Sequence, residues 1–302
     1  MFVIKYKKFF YIFSTILILI SIGAIVVRGL HVGIDFTGGS AVEAAYSGDR
    51  PDVALVQKAL ADAHIEGVTA RPFGESSFIF EMQSTDTEAH VAIYNALSAE
   101  NTTNATITMK DPYVIGPSIG AELRSKAFIA VPAVIFAIML FVTYAFRQAS
   151  ERLSSWVYGV ITVFTFAHDV IIPIGAAALL GLKIDSLFII AILSILGLSV
   201  HDTIVVFDRV RENIRLKKVR DFKELVGKSL QQTFVRSLNT SMTIMFVLII
   251  LFLIGPETTR DFALVLAVGL AVGTYSSIFI ASPLLVEAER IQQNKKKEEG
   301  KK

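Results

Sequence analysis

Two carboxylates stand inside stretches that are otherwise apolar, Asp169 in VFTFAHDVIIPIG and Asp202 in GLSVHDTIVVF, each preceded by a histidine, His168 and His201. Arg236 opens a third apolar stretch. If these stretches cross a bilayer, an acid near the centre costs about 2.5 to 3.5 kcal/mol, so each acid must face a partner or water. Two chemistries fit such groups. A neighbouring cation favours an ionised acid while desolvation favours a neutral one, so a helix movement can load or release a proton. The same groups can also simply hold helices together by hydrogen bonds, and both readings stay open for Asp169. His168 reads as helix glue. Adjacent helical residues point about 100° apart, so His168 and Asp169 are expected to take different partners. Thr162, Thr165 and Asp169 fall on one helical stripe, and Arg236, Asn239 and Thr243 on another, with Thr240 beside them. Asp202 and Arg236 both lie on the cytoplasmic half of neighbouring helices, whereas Asp208, beside Arg209 and Arg211, reads as interfacial.

The elements that carry these residues are legible from hydropathy. The chain has 302 residues, 53% of them hydrophobic, and a mean hydropathy of +0.58, above the roughly 45 to 50% apolar content usual in soluble domains. Six apolar runs reach the roughly 20 residues needed to span a bilayer: Phe9 to Val27, Ala127 to Phe146, Ser155 to Leu180, Ser186 to Phe207, Leu238 to Ile254 and Phe262 to Val286. The first is longer than the ~7 to 15 residues of a signal-peptide core and has no small-x-small cleavage site after it, so it reads as a retained anchor.

Basic residues gather at alternate ends of these runs. Lys5, Lys7 and Lys8 begin the chain, Arg147 and Arg152 follow the second run, Arg209 through Lys228 follow the fourth, and Lys295 to Lys297 close it. The positive-inside rule then puts both termini in the cytoplasm and residues 30–122 outside. This placement explains the basic tail at 287–302 without a nucleic-acid partner. The expected layout is a first helix within 1–29, an outer domain at 30–122, helices two to six at 123–286 with a basic loop at 208–236, and the cytoplasmic tail. There is no cysteine, which excludes disulfides, thiolate metal sites and a cysteine nucleophile.

The outer segment has soluble periodicity. Ser40 to Tyr46 predicts a strand, and a helix from Pro51 toward Gly67 carries Val53, Val56, Leu60 and Ala63 on one face. Val68 to Phe73 and Ser77 to Gln83 flank a tight Gly74-Glu75-Ser76 turn. Thr87 to Ser98 predicts a helix facing inward through Val91, Tyr94 and Leu97, and Ala105 to Val114 a last strand. The order β-α-β-β-α-β is that of a ferredoxin-like α+β domain, which by itself implies no chemistry. His31, His64 and His90 have no metal-ligand spacing and read as surface or linker residues, so no metal site is expected. The glycines of GIDFTGG at 33–39 are not a phosphate loop, since no lysine and helix start follow in register; they read as a turn from membrane to strand. Gly269 and Gly273 permit close helix packing, inside the bundle or against a partner.

GIDFTGG after the first apolar run, IGPSIGAEL at 115–123 before the second, and HDTIVVFDRVREN at 201–213 resemble, in order and position, motifs of the SecF members of the SecD/SecF family of protein-export membrane proteins, within the RND superfamily. AHDVI at 167–171 and NTSMT at 239–243 extend the resemblance over nearly the whole chain. Gly33, Asp35, Gly38, Gly39, Gly116, Pro117 and Gly120 belong to its motif positions. Many family members carry asparagine where this chain has His201, so a neutral neighbour beside Asp202 is not implied. The resemblance implies a helical polytopic protein of six transmembrane helices, half of an RND-type bundle, in the bacterial cytoplasmic membrane. It implies SecD, the SecYEG channel, the SecA ATPase and an unfolded polypeptide as partners, and the proton gradient as energy source in place of a cofactor. It also implies that Asp202 and Arg236 couple proton movement to export, with no enzymatic reaction.

Two other classes remain open, a subunit of a proton-coupled small-molecule transporter and a passive membrane scaffold. The first calls for two membrane repeats where this chain has one, and the second has no need of buried Asp and Arg. Phe222, Leu225, Val226, Leu230 and Phe234 form an apolar face on a basic segment, expected to lie along the cytoplasmic interface against lipid or the translocon.

Overall fold

The structure, a computed structural model, describes residues 2–99, 105–147, 153–216, 219 and 221–299, the side chains of Lys296 and Glu299 aside. Arg152, Lys217, Lys218 and Arg220, counted among the basic loop residues, lie outside the described residues. The chain divides into two units. One runs from Val32 to Phe128, and the other takes the residues up to His31 and from Ile129 onward.

Among the described residues six helical segments are long and apolar enough to cross a membrane. A short α1 (Phe2–Lys5) precedes the first, α2 (Lys7–Arg28). The others are α6 (Pro117–Ala145), α7 (Ser155–Leu180), α8 (Ser186–Arg215), α9 (Phe222–Ile254) and α10 (Glu257–Ser276). The last continues through a π-helical turn, Ser277–Ala281, into α11 (Ser282–Glu299). Local chemistry sets several ends. Gly181 closes α7 in the left-handed conformation at φ 66°, and the Asp185 carboxylate accepts the Phe188 N–H at 2.9 Å to cap α8. Two-residue strands β1 (His31–Val32) and β7 (Lys183–Ile184) follow α2 and α7.

In the helical unit α10 is central, packed against α7, α8 and α9. Its glycines allow this. A Cβ on Gly269 would lie 2.1 Å from Ile195 Cδ1, and one on Gly273 would lie 3.0 Å from Ser199 Cβ, so the small-residue pair faces α8 inside the bundle. At one end of the bundle Phe146 stacks on Tyr158 with ring centres 5.2 Å apart, and Phe207 meets both edge-on. This cluster also takes in Phe222, Leu225 and Val226. The segment expected to lie apart along the interface is therefore the first part of α9. Its 33 residues at 1.5 Å each make a continuous helix of roughly 50 Å, well beyond the ~30 Å hydrocarbon core. Phe222, Leu225 and Val226 of its apolar face serve the bundle's own core, while Phe234 farther along remains exposed.

The second unit is built on β2 (Gly39–Tyr46). It continues with α4 (Val53–Asp62), β3 (Val68–Phe73), β4 (Ser77–Met82), α5 (Thr87–Ala99), β5 (Ile107–Met109) and β6 (Tyr113–Ile115). The sheet runs β3-β4-β2-β5, with β6 also on β2, and each of these pairings is antiparallel. Val42, Ala44, Phe78 and Phe80 from the sheet meet Val56, Leu60, Ile93 and Leu97 from α4 and α5.

Three expectations fail here. The single last strand is two, since Asp111 and Pro112 interrupt the pairing after Lys110, whose N–H still donates to the Glu43 carbonyl, and proline cannot donate to a ladder. Val91 and Tyr94 are exposed, and α5 turns His90, Ile93, Ala96 and Leu97 inward instead. His90 is thus a buried residue, its Nε2 2.9 Å from Ser40 Oγ, while His31 and His64 are exposed as expected.

Candidate functional site

The end of α10 reads Thr274-Tyr275-Ser276-Ser277, a polar run in an apolar helix, and it leads into the π-helical turn. Such turns interrupt the regular ladder and recur at functional sites. Two carboxylates converge on this run from different helices. Asp202 on α8 is buried, and its Oδ2 accepts from Ser241 Oγ of α9 at 3.1 Å and from Thr274 Oγ1 at 3.3 Å. Ser241 and Thr274 are themselves 2.6 Å apart.

Asp169 on α7 is fully buried. Its Oδ2 accepts from Ser199 Oγ of α8 at 2.5 Å and from Ser276 Oγ at 2.9 Å, and its Oδ1 lies 2.9 Å from His168 Nδ1. Thr203 of α8 adds a hydroxyl contact to Ser277 at 2.8 Å. One segment of α10 therefore holds a carboxylate from each of two neighbouring helices, in a region where an unpaired polar group costs several kcal/mol.

Several expected partnerships differ. His168 and Asp169 do not take separate partners; the imidazole turns to its neighbour, leaving His168 Nε2 buried without a hydrogen-bond partner among the described residues, and its ring stacks near Tyr275. The Tyr275 hydroxyl in turn donates to the Phe10 carbonyl of α2 at 3.0 Å. Thr162 and Thr165 are buried on the stripe of Asp169, but their hydroxyls bond back to carbonyls of their own helix.

No ion pair joins Asp202 to Arg236 in this structure. Arg236, Asn239 and Thr243 are exposed, and the polar face that α9 buries is Ser229, Thr233, Ser237 and Ser241. The reason is helical phase. Arg236 lies five residues before Ser241, or about 140° around the helix from it. Thr240 donates to the Arg236 carbonyl at 3.0 Å. His201 is exposed, and Asp208 is exposed and paired with Arg211 one turn on.

The residues that the sequence reading missed are Ser199, Ser241, Thr274, Ser276 and Ser277. Two signals were present: Ser199 stands three residues before Asp202, and four consecutive hydroxyl residues interrupt the last apolar run.

The glycine motifs form a second, structural constellation in the other unit. Ile34–Thr37 makes a short helix, α3, after which Gly38 and Gly39 take φ of 76° and 135°, where side chains are strained. Space is also lacking. A Cβ on Gly38 would sit 2.8 Å from Pro117 Cα, one on Gly39 2.2 Å from the Met82 carbonyl oxygen, and one on Gly120 2.7 Å from Gly38 N. GIDFTGG and GPSIG thus pack backbone to backbone. Gly116 itself has open space around it, and nothing in the structure explains its identity.

Residues 95–290 match the family model for the C-terminal part of the protein export membrane protein SecD/SecF, and residues 23–49 match the SecD/SecF GG motif. The chain belongs to the SecD/SecF family. It is 34% identical over 303 residues to the protein translocase subunit SecF of Thermobaculum terrenum, covering 95% of this chain and 93% of that one. It is 32% identical to the SecF of Haemophilus influenzae, with 92% and 82% coverage. Among solved structures it is similar to SecDF of Thermus thermophilus, a translocon-associated membrane protein, with a TM-score of 0.82 and 31% identity. That match covers 95% of this chain and 38% of the SecDF chain, so the chain spans well under half of that structure's length. With six candidate spans and this family, the chain is a polytopic membrane protein.

Proposed function

We propose that the chain is an accessory subunit of the Sec protein translocase that works with a SecD-type partner, using the proton-motive force to promote polypeptide export across the cytoplasmic membrane. The observation that carries this is Asp202, a buried carboxylate on α8 held by two hydroxyls from α9 and α10, in a chain whose relatives are translocase subunits. The partner reading rests on the 38% coverage of SecDF, since a SecD-type chain would supply the remainder. SecYEG, SecA and an emerging unfolded polypeptide complete the working assembly. No enzymatic step and no bound cofactor enter this scheme.

In it Asp202 gains and loses a proton, and Arg236 pairs with the ionised carboxylate only when α9 turns relative to α8. In the structure described, Ser241 and Thr274 hold the carboxylate and Arg236 faces away. One charge moving through ~150 mV releases roughly 3.5 kcal/mol, several times thermal energy, which suffices to bias such a movement.

The second unit serves as the extracytoplasmic domain. Its element order β-α-β-β-α-β and strand order β3-β4-β2-β5 support a ferredoxin-like reading. The basic termini and even loops support a topology with both ends cytoplasmic, the outer domain at 30–122, helices two to six at 123–286 and a cytoplasmic tail from 287. Because the chain has no cysteine, Ser76→Cys in the β3–β4 turn gives a clean test. In intact cells stripped of the outer membrane, a membrane-impermeant maleimide should label it fully. Labelling only after the membrane is permeabilised would reverse the topology and remove the basis for an outer domain.

A further inference from the structure

At the end of the helical unit where α1, the start of α9 and the π-helical turn meet, an open apolar groove of about 440 Å³ is lined mainly by Phe2, Val3, Leu230, Phe234, Val235 and Phe279. Its size falls in the range of small-molecule sites. Phe2 and Val235 are 65% and 64% exposed, so the lining is open to whatever surrounds the bundle. Several cations stand near one end of the groove, although none of them lines it. On α9, Gly227, Leu230 and Phe234 line the groove, and Lys223 stands on the same stripe one turn before Gly227. Lys7, just after the α1 residues that line the groove, feels the charges of Arg290, Lys223 and Lys8. Lys7 is paired with Glu287, whereas Lys8, Lys223 and Arg290 have no ion-pair partner among the described residues. Three exposed cations without an ion pair, near one end of an apolar slot, favour an occupant that brings both negative charge and hydrocarbon.

We infer that this groove is a binding site for one anionic phospholipid, with an acyl chain along Leu230, Phe234 and Phe279 and the phosphate among Lys8, Lys223 and Arg290. Charge complementarity decides against a zwitterionic lipid, and the apolar lining decides against a free phosphate. Basic sites at the ends of membrane helices recognise lipid headgroups in this way, and each cation near the surface contributes about one charge's worth of attraction. The placement at the cytoplasmic leaflet rests on the proposed topology, but the binding itself does not, so the two fail separately.

The test is native mass spectrometry of the full chain in detergent, titrated with phosphatidylglycerol or with phosphatidylethanolamine of the same chains. The wild type should retain one phosphatidylglycerol at least tenfold more tightly than phosphatidylethanolamine. The double variant Lys8→Gln/Lys223→Gln should lose about thirtyfold of phosphatidylglycerol affinity, the effect of two charges, and leave phosphatidylethanolamine unchanged. Val235→Trp, an exposed position that would fill the groove, should weaken both lipids. The pair Lys58→Gln/Lys110→Gln removes the same charge from the other unit and should change nothing. Equal retention of the two lipids by the wild type, or an anionic preference that survives both groove variants, would overturn the proposal. So would cross-linking of Val235→Cys in native membranes to a protein subunit instead of to lipid.

Discussion

Asp202→Asn should leave the chain folded and assembled with its partner while abolishing the dependence of export on the proton gradient. Asparagine keeps an oxygen acceptor for Ser241 and Thr274, both of which reach Asp202 Oδ2, so the three-helix contact survives. What it removes is the ability to exchange a proton. The loss should therefore appear as export in energised vesicles falling to the level seen with a protonophore, at unchanged protein abundance. Asp208→Asn is the control. Among the described residues Asp208 is exposed and pairs with Arg211, and surface pairs of this kind contribute roughly 0 to 1 kcal/mol. Its export should stay near wild type. Full gradient-dependent stimulation by Asp202→Asn would make that residue structural.

Asp169→Ala should instead strike stability. Asp169 joins α7 to Ser199 of α8 and Ser276 of α10 and satisfies His168 Nδ1. Removal leaves buried donors without their acceptor, each such loss costing about 1 to 3 kcal/mol, although membrane hydrogen bonds average nearer 0.6 kcal/mol because partners are recovered elsewhere. Ser276 already has the Gly273 carbonyl as an alternative acceptor at 3.0 Å, so a net loss of about 2 to 4 kcal/mol is expected. Membrane abundance and thermal half-life in detergent should fall sharply, and Asp169→Asn should recover much of both. Normal stability of Asp169→Ala combined with lost gradient coupling would move Asp169 from scaffold to proton path.

The contrast between these two acids was not legible in the sequence, and the reason is physical. A run of roughly 20 apolar residues reports its own burial through length alone, so the six spans and the positions of Asp169 and Asp202 within them could be read directly. Which hydroxyl meets which carboxylate is set by the rotation and axial offset of neighbouring helices. NTSMT shows this well: its helical stripe predicts Asn239 and Thr243, with Thr240 beside them, yet it is Ser241 that faces Asp202. Arg236 is out of phase with that face by the same rotation. In the other unit the hairpin around Gly74 could be read from its turn residues, and β3 and β4 pair as expected. The face of α5 could not. Val91 and the Tyr94 ring offer apolar surface on one stripe as Ile93 does on the other, Leu97 can join either, and only contact with the sheet decides between them. The GG motif had a visible pattern but no visible partner, because its close approach to Pro117 and Gly120 joins segments about 80 residues apart, a distance that local reasoning does not bridge.

On the proposed function, the chain converts a proton gradient into export only together with a SecD-type partner. The most direct measurement is polypeptide translocation into sealed vesicles containing the purified translocon, with an imposed proton gradient, comparing the chain alone, the partner alone and both together. Stimulation should appear only with both and should vanish when a protonophore collapses the gradient. Full stimulation by the chain alone, or stimulation by the pair that survives the protonophore, would contradict it.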